Sequence, residues 1–228
     1  MIRAGAIPTT QELVATEGDC SVLDGENSKN WECKPECTWG EQSCIDGTCV
    51  DWPAMAPAGD ITVEGLIPGT AVLPVLDLGY YGSPSGFDGD LFGSGDAVSI
   101  SSPGGNTAAL SLAAVGVADF ENFEHDILDP GSDMHLSWTP ASGDAKIEVR
   151  LETGWHGASA LTTIWCVTDD DGELTVPGSL TSMFDIPSCG ECESSMTQRF
   201  TRDVVDLGNG PITLTVASRA SFVAWWGK

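Results

Sequence analysis

Ala145-Lys146-Ile147-Glu148-Val149-Arg150-Leu151-Glu152 alternates without a break, apolar at the odd positions and charged at the even ones. A period of two marks a strand that rests one face on a core and turns the other to water. Ile212, Leu214 and Val216 repeat the pattern against Thr213 and Thr215, as do Ile61 and Val63 against Thr62 and Glu64. Further strands are read at 71–77, 97–101, 107–113, 134–138, 161–168, 173–177, 199–205 and 220–226. The chain carries 27 Gly and 13 Pro, many of them between these runs. Glycine supplies positive φ and proline cannot donate to a ladder, so both punctuate a turn-rich β chain. The spacing predicts an all-β fold, an antiparallel β-sandwich rather than a parallel α/β sheet. Short helical turns are expected only at 177–184 and 120–124.

Working outward, residues 53–228 are read as the sandwich domain, behind the linker-like Pro53-Ala54-Met55-Ala56-Pro57-Ala58-Gly59. Residues 20–52 form a module rich in Cys, Gly, Asp, Glu and Trp with few aliphatic side chains. A segment that short cannot offset its ordering entropy by apolar burial, so disulfides must hold it. Within it, Cys44-Ile45-Asp46-Gly47-Thr48-Cys49 reads as a two-residue hairpin that sets Cys44 opposite Cys49. The spacing leaves their pairing open between each other and more distant cysteines. Residues 1–19 are read as a flexible lead-in, in which Gln11-Glu12-Leu13-Val14-Ala15 suits a short helix or strand. If the protein assembles, that segment is suited to adding to a neighbour's sheet edge.

The eight cysteines divide into five at the front (Cys20, Cys33, Cys37, Cys44, Cys49) and three at the back (Cys166, Cys189, Cys192). Two odd groups must share a crosslink if every thiol pairs internally. Pairing on this scale requires an oxidising compartment, since cytosolic thiols are kept reduced. The spacing of the front group fits no zinc-finger pattern well, and disulfides are the better account. Cys189-Gly190-Glu191-Cys192 has the C-x-x-C spacing of redox sites but no βαβ context, and reads as a loop staple with Cys166 as its natural partner. Trp138 and Trp165 are expected between the sheets, and the consecutive Trp225 and Trp226 on opposite faces.

Nine basic residues against 34 acidic ones give a formal charge of −25. That field repels phosphate, which excludes nucleic acid and an anionic membrane surface as partners. No stretch approaches the roughly 18 apolar residues of a membrane span. The start, Met1-Ile2-Arg3-Ala4-Gly5-Ala6-Ile7-Pro8, is too short and broken for the apolar core of a signal peptide, so an export signal, with or without a lipid anchor, is expected outside this sequence. Two acidic loops suggest calcium, a hard cation that relieves repulsion between neighbouring carboxylates. They are Asp169-Asp170-Asp171-Gly172, otherwise a solvated hairpin turn, and Asp88 and Asp90 with Asp96 in a glycine-rich loop. Tyr80, Tyr81 and Phe87 gather in that loop and, with Trp225 and Trp226, are candidate ligand contacts. His125, His135 and His156 are the only histidines, and His135, out of phase with Leu136 and Trp138, should face solvent. No nucleophile elbow, zinc-binding helix or phosphate loop is present, so no catalytic residue and no cofactor other than calcium is assigned.

Leu136-Ser137-Trp138-Thr139-Pro140, then Ile164-Trp165-Cys166, then Asp170-Asp171-Gly172-Glu173-Leu174-Thr175-Val176-Pro177, resembles a pattern in uncharacterised secreted bacterial lipoproteins. Ser43-Cys44-Ile45-Asp46-Gly47-Thr48-Cys49-Val50 is similar to short cysteine repeats in such proteins. The resemblance implies a β domain at the cell surface and carries no activity. The expected protein is therefore extracellular, periplasmic or on the outer cell surface, a non-catalytic structural or binding component whose partner is a protein, a glycan or further copies of itself. The alternative is a calcium-assisted carbohydrate-binding module.

Overall fold

The computed structural model describes residues 11–24, 33–38, 40–76, 81, 90–152, 162–184, 195–208, 210–222 and 224. The elements in chain order are β1 (Glu12–Glu17), β2 (Cys20–Asp24), β3 (Gln42–Ile45), β4 (Thr48–Asp51), β5 (Ile61–Glu64), β6 (Ala71–Leu73), β7 (Ala97–Ser102) and β8 (Leu110–Val115). They continue with β9 (Glu124–His125), β10 (Met134–Ser137), β11 (Lys146–Glu152), β12 (Thr162–Asp169), β13 (Glu173–Val176), α1 (Gly178–Thr181), β14 (Ser195–Asp206) and β15 (Pro211–Phe222). The protein is all-β, as the alternation predicts, and its antiparallel sheets are a six-stranded β1-β2-β12-β11-β14-β15, a four-stranded β6-β5-β7-β8, a three-stranded β13-β10-β9 and the hairpin β3-β4. Among the described residues no helix is long and apolar enough to cross a membrane.

The chain divides into two compact units whose boundaries are not those expected from composition. One holds Trp52–Ala118 with Thr201–Ala217, and the other holds the described parts of Pro8–Asp51, Asp119–Phe200 and Ser218–Lys228. Strands β14 and β15 each contribute to both, which is why no linker composition marks the division.

The second unit is the sandwich. Val22, Ile147, Val149, Leu151 and Ile164 from the six-stranded sheet and Met134, Leu136, Leu174 and Val176 from the three-stranded sheet share one core with Trp138 and Phe184. Each such aliphatic side chain, fully buried, stabilises by roughly 1.5–3 kcal/mol. The odd positions of β11 supply its centre, as their period requires. Trp138 is 5% exposed, but Trp165 is 37% exposed, because it points away from Ile164 and Cys166 and stands beside Arg150 and Ser21 on the other face of the sheet.

The first unit packs Val98, Ala114 and Val216 with Val63, Leu66, Phe92 and Leu214. Gly65 has φ of 84°, and a Cβ there would lie 1.8 Å from the Ala97 carbonyl oxygen, so only glycine lets β5 approach β7. The outer edge of β8 is closed by side chains rather than by a strand. Asp203 Oδ2 accepts from Ala113 N at 2.9 Å, Thr201 Oγ1 accepts from Val115 N at 3.1 Å, and the same hydroxyl donates to the Val115 carbonyl.

The segment expected as a flexible lead-in is in fact strand β1 from Glu12 on, joined to β2 by the two-residue turn at Gly18 and Asp19. Likewise residues 120–124 form no helical turn; they lead into β9, which pairs with β10. Residues 177–184 do contain one, α1. Disulfides join Cys20 to Cys166, Cys33 to Cys44 and Cys37 to Cys49. The first is the required crosslink between the front and back groups, so Cys166 is not the partner of the Cys189 and Cys192 pair. The register decides it: Cys20 and Cys166 lie directly opposite on β2 and β12, with Cα atoms 4.0 Å apart. Cys44 and Cys49 do face one another across a turn with Asp46 and Gly47 both at positive φ, yet each sulfur bonds to an upstream cysteine. Such crosslinks are compatible with an extracellular protein.

Candidate functional site

The three-stranded sheet turns one face to the core and leaves the other open. Along β10 Met134 and Leu136 are buried while His135 and Ser137 are exposed, and along β13 Leu174 and Val176 are buried while Glu173 and Thr175 are exposed. The register places Ser137 between Glu173 and Glu124, and His135 beside Thr175. Asp126 extends the short β9, its N–H donating to His135 O at 2.9 Å while its Oδ2 accepts from His135 N at 3.2 Å. These residues line an open depression of about 340 Å³.

His135 Nδ1 lies 3.0 Å from Thr175 Oγ1, so the hydroxyl, not a carboxylate, orients the imidazole. Ser137 makes no hydrogen bond to it. His125 lies opposite the buried Leu136, and its ring therefore belongs to the other side of the sheet. There it stacks on Phe123 and Phe222, at 5.6 and 4.8 Å between centroids, and its Nδ1 donates to the Asp126 carbonyl at 2.9 Å. The two rings thus lie on opposite sides of the sheet. His125 and His135 both line the depression, and its exposed side chains are the His135 imidazole, two hydroxyls and the carboxylates of Glu124, Asp126 and Glu173.

Among the described residues, the carboxylates expected to hold calcium do not converge. Asp169 pairs with Lys146 across the β11–β12 ladder, and this bond and charge hold the lysine above its ordinary value of 10.5. The contribution of that exposed pair is present at neutral pH and is lost as alkali deprotonates the amine. Asp170, next in sequence, is buried: its side chain is 3% exposed and that of its partner Arg199 is 1%. Arg199 Nε donates to Asp170 Oδ2 at 2.8 Å and Nη2 to Oδ1 at 3.3 Å, while Trp138 Nε1 donates to Oδ1 at 2.8 Å and Ala141 N to Oδ2 at 3.1 Å. Both oxygens are committed. Asp171 Oδ1 accepts from Glu173 N at 3.4 Å and shapes the turn.

In the other loop Asp96 Oδ2 accepts from Gly93 N at 2.7 Å, Asp90 is exposed, and Asp88 lies outside the described residues. Tyr81, expected as a ligand contact, accepts from Ala58 N at 2.9 Å and closes the loop instead. Tyr80, Phe87, Trp225, Trp226, His156, Cys189 and Cys192 also lie outside the described residues. Among those described, the ligand-type side chains close enough to share an ion are Cys33, Cys37 and Cys49, whose sulfurs are taken up in disulfides. For the carboxylates among the described residues, the expected result of adding a chelator is an unchanged melting temperature; a fall would support calcium, since a ligand bound only by the folded state stabilises it.

Glu124, Asp126 and Glu173 escape the sequence reading because β9 is only two residues long and shows no period. Its place beside β10 is what gathers them. The alternation of β10 does reveal His135 as outward, while the register sets Thr175 beside it. No protein-family model matches this chain, and no curated protein matches it.

Proposed function

We propose that the protein is an exported, non-catalytic binding protein of the cell surface, that the outward face of β13-β10-β9 is its ligand face, and that its ligand is a basic segment of another protein. The observation that carries this is the row Glu124–Ser137–Glu173, flanked by His135, Thr175 and Asp126, on a sheet whose other side is a packed core. Three carboxylates on a molecule of charge −25 favour a cation both at contact and at a distance. Catalysis needs groups desolvated and aimed at one reacting atom. Here the groups are open to water, and the serine and histidine are not bonded. A stacking ring for a sugar is not among the groups lining the depression, so the glycan reading receives less support than a basic peptide. The resemblance to secreted lipoproteins and the disulfides support the address.

Titration of tetralysine into the protein at low ionic strength tests the reading. Glu124→Gln with Glu173→Gln is expected to weaken binding about tenfold and to leave the melting temperature within a few degrees, because both side chains are exposed. Equal affinity of variant and parent would rule out this face.

A further inference from the structure

Strand β1 is the last strand on its side of the six-stranded sheet, and among the described residues nothing pairs beyond it. Natural edges are usually blunted by being short, covered or charged along their length. The edge of β8 is covered in this way, by Thr201 and Asp203. At β1 the centre is instead apolar and open: Leu13 is 64% exposed and Val14 54%. Charge is confined to the ends, at Glu12 and at Glu17, whose exposed carboxylate also accepts from Ser179 Oγ of α1.

The ladder shows which backbone groups are free. The turn at Gly18 and Asp19 closes on the Glu17–Cys20 pair, and bonding to β2 alternates from there, through Ala15 opposite Val22. Thr16, between them, turns its N–H and C=O outward. A bulge at Val14 interrupts the register between Leu13 and Ala15.

We propose that β1 is a docking edge for an extended segment of another protein, one with a short apolar centre flanked by lysine or arginine, which adds as a seventh strand. Main-chain bonds to a sheet edge supply affinity in this mode and flanking side chains supply selectivity. The end charges decide the occupant. Antiparallel pairing of two copies of β1 about their centre would set Glu12 of each against Glu17 of the other, and parallel pairing would set each glutamate against itself. Like charges directly opposed are destabilising, whereas a basic residue at the same place is favoured. The edge thus rejects a second copy and selects a cationic partner. This surface is separate from the open face of the three-stranded sheet and stands or falls without it.

Hydrogen exchange on the protein with the synthetic peptide Lys-Thr-Val-Thr-Val-Lys tests the assignment. Saturating peptide should slow exchange at the Thr16 amide at least tenfold and leave Ala15, already bonded to β2, unchanged. The peptide with glutamate at both ends should bind at least tenfold more weakly. Thr16→Pro removes the outward donor, keeps the backbone bonds to β2 while losing the Thr16–Ser21 hydroxyl contact, and should cost at least tenfold in affinity. Should that variant fold poorly, Glu12→Lys with Glu17→Lys keeps the backbone intact and should reverse the preference between the two peptides. Glu124→Gln with Glu173→Gln should leave Thr16 protection as it was. Unprotected Thr16 at saturation, indifference to peptide charge, or a dimer that protects Thr16 without peptide would each overturn the proposal.

Discussion

Asp170→Ala is expected to lower the unfolding free energy by roughly 3–5 kcal/mol, read as a fall in the urea midpoint with an unchanged slope. The magnitude follows from what is left behind. Arg199 is almost wholly buried, and its guanidinium also donates to the carbonyls of Thr139, at 2.6 Å, and Asp119, with the Phe120 ring 5.3 Å away. Removing the carboxylate strands that charge and leaves the Trp138 Nε1 and Ala141 donors without an acceptor. Each of these belongs to a different stretch of the sandwich. Asp170 follows β12 in the large sheet, Arg199 stands on β14, and Trp138 follows β10 in the small one. The pair therefore fastens the two layers as well as neutralising itself. Asp170→Asn should cost less, since an amide oxygen still accepts. Arg199→Met combined with Asp170→Ala should recover part of the loss, because an apolar pair leaves no buried charge. A single variant that unfolds at the parental urea concentration would contradict this account.

Replacing Cys20 and Cys166 together by alanine should cost about 2–5 kcal/mol, mainly because the unfolded chain regains the freedom of a long loop. The two residues are 146 apart in sequence and both are 0% exposed. Burial adds a kinetic expectation. Thiol exchange needs access to a sulfur, and Cys49 is half-buried while Cys20 and Cys166 are sealed in the core. Mild reductant on the folded protein should open Cys37–Cys49 first and leave Cys20–Cys166 intact until the sandwich unfolds. Peptide mapping after timed alkylation reads the order directly. Simultaneous loss of both bridges from a protein that still melts cooperatively would argue against it.

The strands that carry the sandwich core were legible because burial on one face imposes a period of two, which β11 shows in its sequence over its whole length, although Glu148 on the outward face is itself buried. The parity of the cysteines required a link between front and back for an equally simple reason. What alternation does not encode is partnership. Nothing in Asp169-Asp170-Asp171 distinguishes the middle carboxylate, yet it alone is buried, because its partner stands on β14, 29 residues later. The same holds for β9, whose two residues gain their meaning from β10. Side chains that serve as strand substitutes, such as Asp203 and Thr201 beside β8, are likewise invisible to any local pattern. The open face carries this limit furthest: His135 announces itself, while Thr175 and the acids around it are assembled by topology.

The Cys20–Cys166 bond also sets how the molecule bears load. A pull applied between points outside it, such as Gln11 and Phe222, passes through the sulfur bridge and bypasses the chain between the two cysteines. At about 3.5 Å per extended residue, the 146-residue separation withholds on the order of 500 Å of slack from any such stretch. Anchored at a surface under shear, the protein would yield only its outer segments and then stiffen, with β9 and β10 of the small sheet inside the shielded loop and β13 outside it.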